Sequence, residues 1–115
     1  MIKEANLTIM VKDLDRSISF YQSIGFSLKQ RWTDHYALLA VPGILLGLHP
    51  ANGKHEQGSG NTSIGLTTHD VKAAKALLMR LSIEVQSRQE EAGEFLHFND
   101  PDGTQLYFIK PKWQG

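Results

Sequence analysis

Phe95-Leu96-His97-Phe98-Asn99-Asp100-Pro101-Asp102-Gly103-Thr104-Gln105-Leu106-Tyr107-Phe108-Ile109-Lys110 is the stretch from which the fold can be read. Two alternating runs flank Asp100-Pro101-Asp102-Gly103. Asp in the first position, Pro in the second and Gly in the fourth suit a type I turn, so the stretch predicts a β-hairpin. Successive strand residues point to opposite faces. Leu96, Phe98, Leu106 and Phe108 then form one apolar face. Phe95, His97, Asn99, Gln105, Tyr107 and Ile109 form the other. Apolar and hydrogen-bonding groups mixed on one face suit a ligand site better than either core or plain surface.

Upstream of the hairpin, Ile64, Leu66 and Thr68 alternate with Ser63, Gly65 and Thr67 and predict a strand. Asp70 is placed to cap a helix whose apolar stripe is Val71, Ala74, Leu78 and Leu81. Ile83–Ser87 reads as a short strand. Residues 88–93 read as a loop, in which Glu90 and Glu91, with Glu94, are solvated.

The first half of the chain has the same order. Leu7, Ile9 and Val11 alternate with Asn6, Thr8 and Met10. Asp13 caps a helix carrying Leu14, Ile18, Tyr21 and Ile24, with a stop at Gly25. Strands follow over 26–32, 35–41 and 44–49. Laying Leu7 on Ile64 brings Asp13 onto Asp70, and laying Gly43 on Gly103 brings Gly47 onto Tyr107. The chain is therefore an internal duplication. The expected fold is α+β, with two βαβββ modules in tandem (1–50 and 62–115) joined by a linker over 51–61 in one domain of 115 residues. Curved mixed sheets would line one cavity, with a helix outside each.

Composition narrows the function classes. Lysine plus arginine equals aspartate plus glutamate at 12 each, so the formal net charge is zero. No basic field draws nucleic acid or an anionic membrane. The chain has no cysteine, which removes disulfides, thiolate nucleophiles and thiolate metal sites. No apolar run reaches the roughly 18 residues of a membrane helix, and Met1-Ile2-Lys3-Glu4 lacks a signal-peptide core. A cytoplasmic protein is expected.

The motifs Val11-Lys12-Asp13-Leu14-Asp15-Arg16-Ser17-Ile18-Ser19-Phe20-Tyr21 and Phe98-Asn99-Asp100-Pro101-Asp102-Gly103-Thr104-Gln105-Leu106-Tyr107-Phe108, with the duplication, resemble the vicinal oxygen chelate superfamily. That group contains glyoxalase I, extradiol dioxygenases, fosfomycin-resistance enzymes and bleomycin-binding proteins. Its metal enzymes place His, Glu or Gln ligands on the first and last strands of each module. The corresponding positions here are Asn6, Gly47, Ser63 and Tyr107. None of these is an imidazole or a carboxylate, the donors that divalent metals prefer. The resemblance therefore implies a small-molecule-binding member with no metal and no cofactor. It also implies a homodimer, with Met10 and Trp32 as apolar groups a partner could cover.

The expected ligand-binding residues are Asn6, Thr8, Gly47, His49, Ser63, Phe95, His97, Gln105 and Tyr107. Gly47 and Gly65 leave room on the mixed faces. His97 is the strongest catalytic candidate, since it shares a face with Tyr107 and matches a substrate-contacting position in fosfomycin-resistance enzymes. His35, His55 and His69 read as surface residues. Asp100 and Asp102 are accounted for by the turn. The alternative function is a lyase or dioxygenase type of enzyme, which would recruit metal through residues such as His49 and His97 or use His97 as a metal-free acid or base. A purely structural domain is a third reading. The convergence of Asn6, Ser63, His97, Gln105 and Tyr107 on the mixed faces opposes it.

Overall fold

The computed structural model describes residues 1–51 and 60–112. The elements run β1 (Asn6–Val11), α1 (Leu14–Ser23), β2 (Ser27–Trp32), β3 (Tyr36–Val41), β4 (Ile44–Pro50), β5 (Ser63–Thr67), α2 (Val71–Arg80), β6 (Gln86–Glu90), β7 (Gly93–Asn99) and β8 (Gln105–Pro111). Strand, helix and three strands thus occur twice, as the duplication predicts. His55 and residues 52–59 of the predicted linker lie outside the described residues. Among the described residues, no helix is long and apolar enough to cross a membrane.

The chain forms two units: Met1–Gly60 with Pro101–Gly103, and Asn61–Asp100 with Thr104–Gly115. In the first, the sheet order is β1-β4-β3-β2, with β1 parallel to β4 and the other pairs antiparallel. Leu7, Ile9, Leu46, Leu48, Ala37 and Leu39 share one sheet face by register. From that set, Ile9, Leu46, Leu48, Ala37 and Leu39 are at most 1% exposed, so this face is the core. α1 covers it with Leu14, Ile18 and the fully buried Tyr21, whose ring meets Phe20 and Phe26 edge-on at 5.2 Å. Asp13 starts the helix by accepting from the Arg16 amide at 3.1 Å, satisfying one of the first-turn donors. Arg31 of β2 ties the sheet to the helix by donating to Asp15 at 2.6 Å, and it also reaches Asp34 at 3.2 Å. Its pKa is raised, chiefly by the hydrogen bond to Asp15.

Pro101–Gly103 also belongs to this first unit. The Asp102 carboxylate accepts from the Lys12 amide at 3.1 Å and from the Ser17 hydroxyl at 3.4 Å, while Arg16 donates to the Pro101 carbonyl. This corrects the assignment of Asp102 to turn formation alone. Asp100 does serve the turn: its carboxylate accepts from the Thr104 amide at 2.9 Å, and its own amide donates to the Thr104 carbonyl.

The second unit repeats the plan, with the order β5-β8-β7-β6 and β5 parallel to β8. Ile64, Leu96, Phe98 and Leu106 are buried on the side of α2, which supplies Ala74 and Leu78. Asp70 caps α2 by accepting from the Ala73 amide at 2.9 Å. One strand departs from expectation. β6 covers Gln86–Glu90, not Ile83–Ser87, and Glu91-Ala92 turns it directly into β7. All five β6 residues are exposed, so no alternation marks them. Backbone pairing with β7, from Gln86 opposite His97 to Glu90 opposite Gly93, holds the strand instead. Glu90 and Glu94 therefore lie in strands, and of the predicted loop only Glu91-Ala92 is a turn.

Candidate ligand-binding site

Strand parity and register leave one face of each sheet pointing away from its helix. In the second unit, His97 stands directly opposite Tyr107, Phe95 opposite Ile109, and Asn99 opposite Gln105. The predicted sorting of this hairpin is therefore what the register gives. Phe95 and His97 stack at 5.6 Å and 10° between planes; Tyr107 lies 5.5 Å from Phe95 and 5.7 Å from His97. These three half-buried rings form one cluster. Tyr107 is seated over Gly65, its partner on β5. A β-carbon at residue 65 would come within 2.5 Å of the phenol, closer than real contacts allow. Glycine is needed there for close approach. Gly65→Ala should unseat the ring at a cost of about 1 kcal/mol, near the low end for overpacking, because the outer end of the ring can swing away. Chemical denaturation measures it. Ser63 and Gln105 pair at the exposed end of the same face.

The first unit makes a different arrangement from equivalent positions. Thr8 of β1 pairs with Gly47 of β4. The space above Gly47 is taken by Tyr36 of β3, and a β-carbon at residue 47 would collide with its hydroxyl. That hydroxyl lies 3.4 Å from the Asn6 amide nitrogen, which donates to it, and 3.2 Å from the Thr8 hydroxyl; Asn6 also donates to Thr8 at 3.2 Å. So Asn6 and Thr8 are brought together, but they bond each other and Tyr36. Tyr36 escaped the sequence reading. Its signal was the parity of 36, 38 and 40, which puts its side chain on the face of Gly47. His49 lies one pleat along from Gly47, and its Nδ1 donates to the Pro50 carbonyl at 2.8 Å. Its ring is 6.5 Å from Tyr36, and the Trp32 ring is 5.5 Å from Tyr36 on the other side.

As metal donors these residues do not fit. Asn6 contributes a neutral amide already bonded to its neighbours, Gly47 contributes nothing and has a phenol in its side-chain space, and Ser63 and Tyr107 are neutral hydroxyls. Among the described residues, no three His, Asp or Glu side chains gather as a metal cluster.

A duplicated βαβββ sheet, with its first and last strands parallel and a helix on one side, defines a class of fold, and comparison with known proteins names it. A model of the Glyoxalase/Bleomycin resistance protein/Dioxygenase superfamily matches residues 5–108. The chain belongs to that superfamily. A fosfomycin resistance protein from Listeria monocytogenes superposes with a TM-score of 0.81 at 17% identity, covering 99% of this chain and 95% of that one. A bleomycin-binding protein complexed with bleomycin superposes with a TM-score of 0.73 at 20% identity, covering 96% and 100%. At these identities the likeness is one of fold. An uncharacterized protein of Mycolicibacterium smegmatis is 37% identical over 73 residues, 59% of this chain and 57% of that protein. The chain spans just over half the length of that curated relative.

Proposed function

We propose that the chain is a small-molecule-binding member of its superfamily that works without a metal, with His97 and Tyr107 as the polar centre of its ligand site. One observation carries this reading. Imidazole and phenol stand opposite each other beside Phe95, and among the described residues neither ring nitrogen of His97 has a protein hydrogen-bond partner. Neutral imidazole offers one donor and one acceptor, and a phenol can do either. The pair can orient a carbonyl, hydroxyl or amide while Phe95 contacts an apolar portion. The bleomycin complex of a structural neighbour supports a drug-like ligand on this fold.

Native mass spectrometry of the purified protein, followed by titration of any ligand it identifies, tests the proposal. His97→Ala and Tyr107→Phe should each weaken binding by about 1–3 kcal/mol, since each leaves a buried ligand group unpaired. Equal affinity in folded variants would reduce the pair to packing. Elemental analysis should find no stoichiometric Zn, Ni, Mn or Fe. A metal lost on replacing His49 or His97 would favour the enzymatic reading, with His97 at the reacting centre. We also propose a homodimer, supported by the exposure of Met10 and Trp32 and by outer edges of β2 and β6 that no strand pairs among the described residues. A monomer mass by light scattering at micromolar concentration would overturn it.

A further inference from the structure

We propose that β6 is the edge through which two copies of the chain join, antiparallel about a two-fold axis at Gln89, so that two four-stranded sheets become one. This rests on the homodimer reading above and names its contact. β2 and β6 are not equivalent as edges. β2 shifts register between Leu28 and Gln30, and it carries Lys29 and Arg31 with no acid. A bulge and like charges keep an edge from pairing with its own copy. β6 runs through consecutive pairs with β7 without a shift, and all its residues are exposed. Its sequence, Gln86-Ser87-Arg88-Gln89-Glu90, holds one charge of each sign.

The ladder fixes which groups of β6 face outward. The Lys112 amide donates to the Ala92 carbonyl, so Gly93, one residue on, is not a bonded partner of β8. It stands opposite Pro111, which has no N–H to give. Gly93, Phe95 and His97 therefore bond across to β6, where their partners are Glu90, Arg88 and Gln86. The amides and carbonyls of Ser87 and Gln89 are left pointing outward, and no strand among the described residues takes them.

Three symmetric antiparallel registers use those outward groups. Centred on residue 88, the pairing sets Arg88 against Arg88 of the partner subunit. Centred on Ser87, it sets Glu90 against Glu84 of the partner subunit. Centred on Gln89, it sets Arg88 of each copy directly opposite Glu90 of the partner subunit. Like charges directly opposite destabilise a sheet and opposite charges stabilise it, so the third register is selected. Residues directly opposite share a face, so both α2 helices then lie on one side of the joined sheet.

The chain has no cysteine, so a single introduced thiol reports on a single position. Residues that exchange both backbone bonds lie about 5.5 Å apart at Cα, within the span of a disulfide. With the axis at Gln89, the two copies of residue 88 lie about 8 Å apart and those of residue 87 about 14 Å, both beyond that span. All three positions are exposed. Gln89→Cys should therefore cross-link under diamide at least about tenfold faster than Arg88→Cys or Ser87→Cys. Arg88→Glu should weaken dimerisation about tenfold in sedimentation equilibrium, and combining it with Glu90→Arg should restore the parent affinity. Fastest cross-linking at residue 87 or 88 overturns this pairing. So do equally slow rates at all three positions in a protein that light scattering shows to be a dimer, and the homodimer reading then stands without it. A monomer mass for the parent overturns both. The His97–Tyr107 reading keeps its own test in every case.

Discussion

Leu106→Ala is expected to destabilise the protein by about 2–5 kcal/mol, the range for emptying a packed leucine site. Leu106 has no solvent exposure and lies on β8, an internal strand flanked by β5 and β7. Its cross-strand partners are Ile64 and Phe98, both buried. Sheet partners on both sides leave little freedom to close over the lost methyls, which favours the upper half of the range. The same strand presents Tyr107 on its opposite face, so a loosened β8 should also blur the spacing of Tyr107 from His97. Urea denaturation reads the first effect, and ligand titration of the folded fraction reads the second. A loss below about 1 kcal/mol would mean that the site collapses without a cavity.

The second large effect is expected from Asp102→Ala, at about 1.5–3 kcal/mol, the range for hydrogen bonds to a charged group. Its carboxylate holds the Lys12 amide and the hydroxyl of Ser17, a residue with no solvent exposure. Removing the acceptor leaves a buried hydroxyl without that partner. Asp102→Asn, which keeps an oxygen of the same reach, should recover part of the loss. If the two variants were equally unstable, the charge rather than the oxygen would be responsible. Thermal melts of the two variants beside the parent make the comparison.

Periodicity made the fold legible. Apolar alternation in 64–68 and 95–109, and helical spacing after Asp13 and Asp70, each arise because one side of the element is buried. β6 failed the same reading for the same reason: with all five residues exposed, burial left no imprint on the sequence. The His97–Tyr107 pair could be read because a hairpin turn fixes the register of its strands. Tyr36 could not be read so directly. Its place over Gly47 depends on the pairing of β3 with β4 and on a hydroxyl that finds Asn6 and Thr8 across β4 on another strand. Asp102 was hidden because turn chemistry alone is enough to account for an aspartate there, and that local sufficiency masked its bonds to residues about 85–90 positions away.

The parallel pairing of first and last strands governs how each unit can form. Asn6 meets Leu45, and Ser63 meets Gln105, so each sheet closes a loop of about 40 residues before its first strand has any neighbour. The antiparallel hairpins β3–β4 and β7–β8 need far shorter closures and should zip first. β1 and β5 would then be late arrivals, adding to an edge already made. Such long-range closures slow folding, so millisecond-to-second kinetics are expected in place of the microseconds of a helical bundle. During synthesis, β5 leaves the ribosome well before β8 exists to receive it, and for that interval it is an unpaired strand seeking an edge.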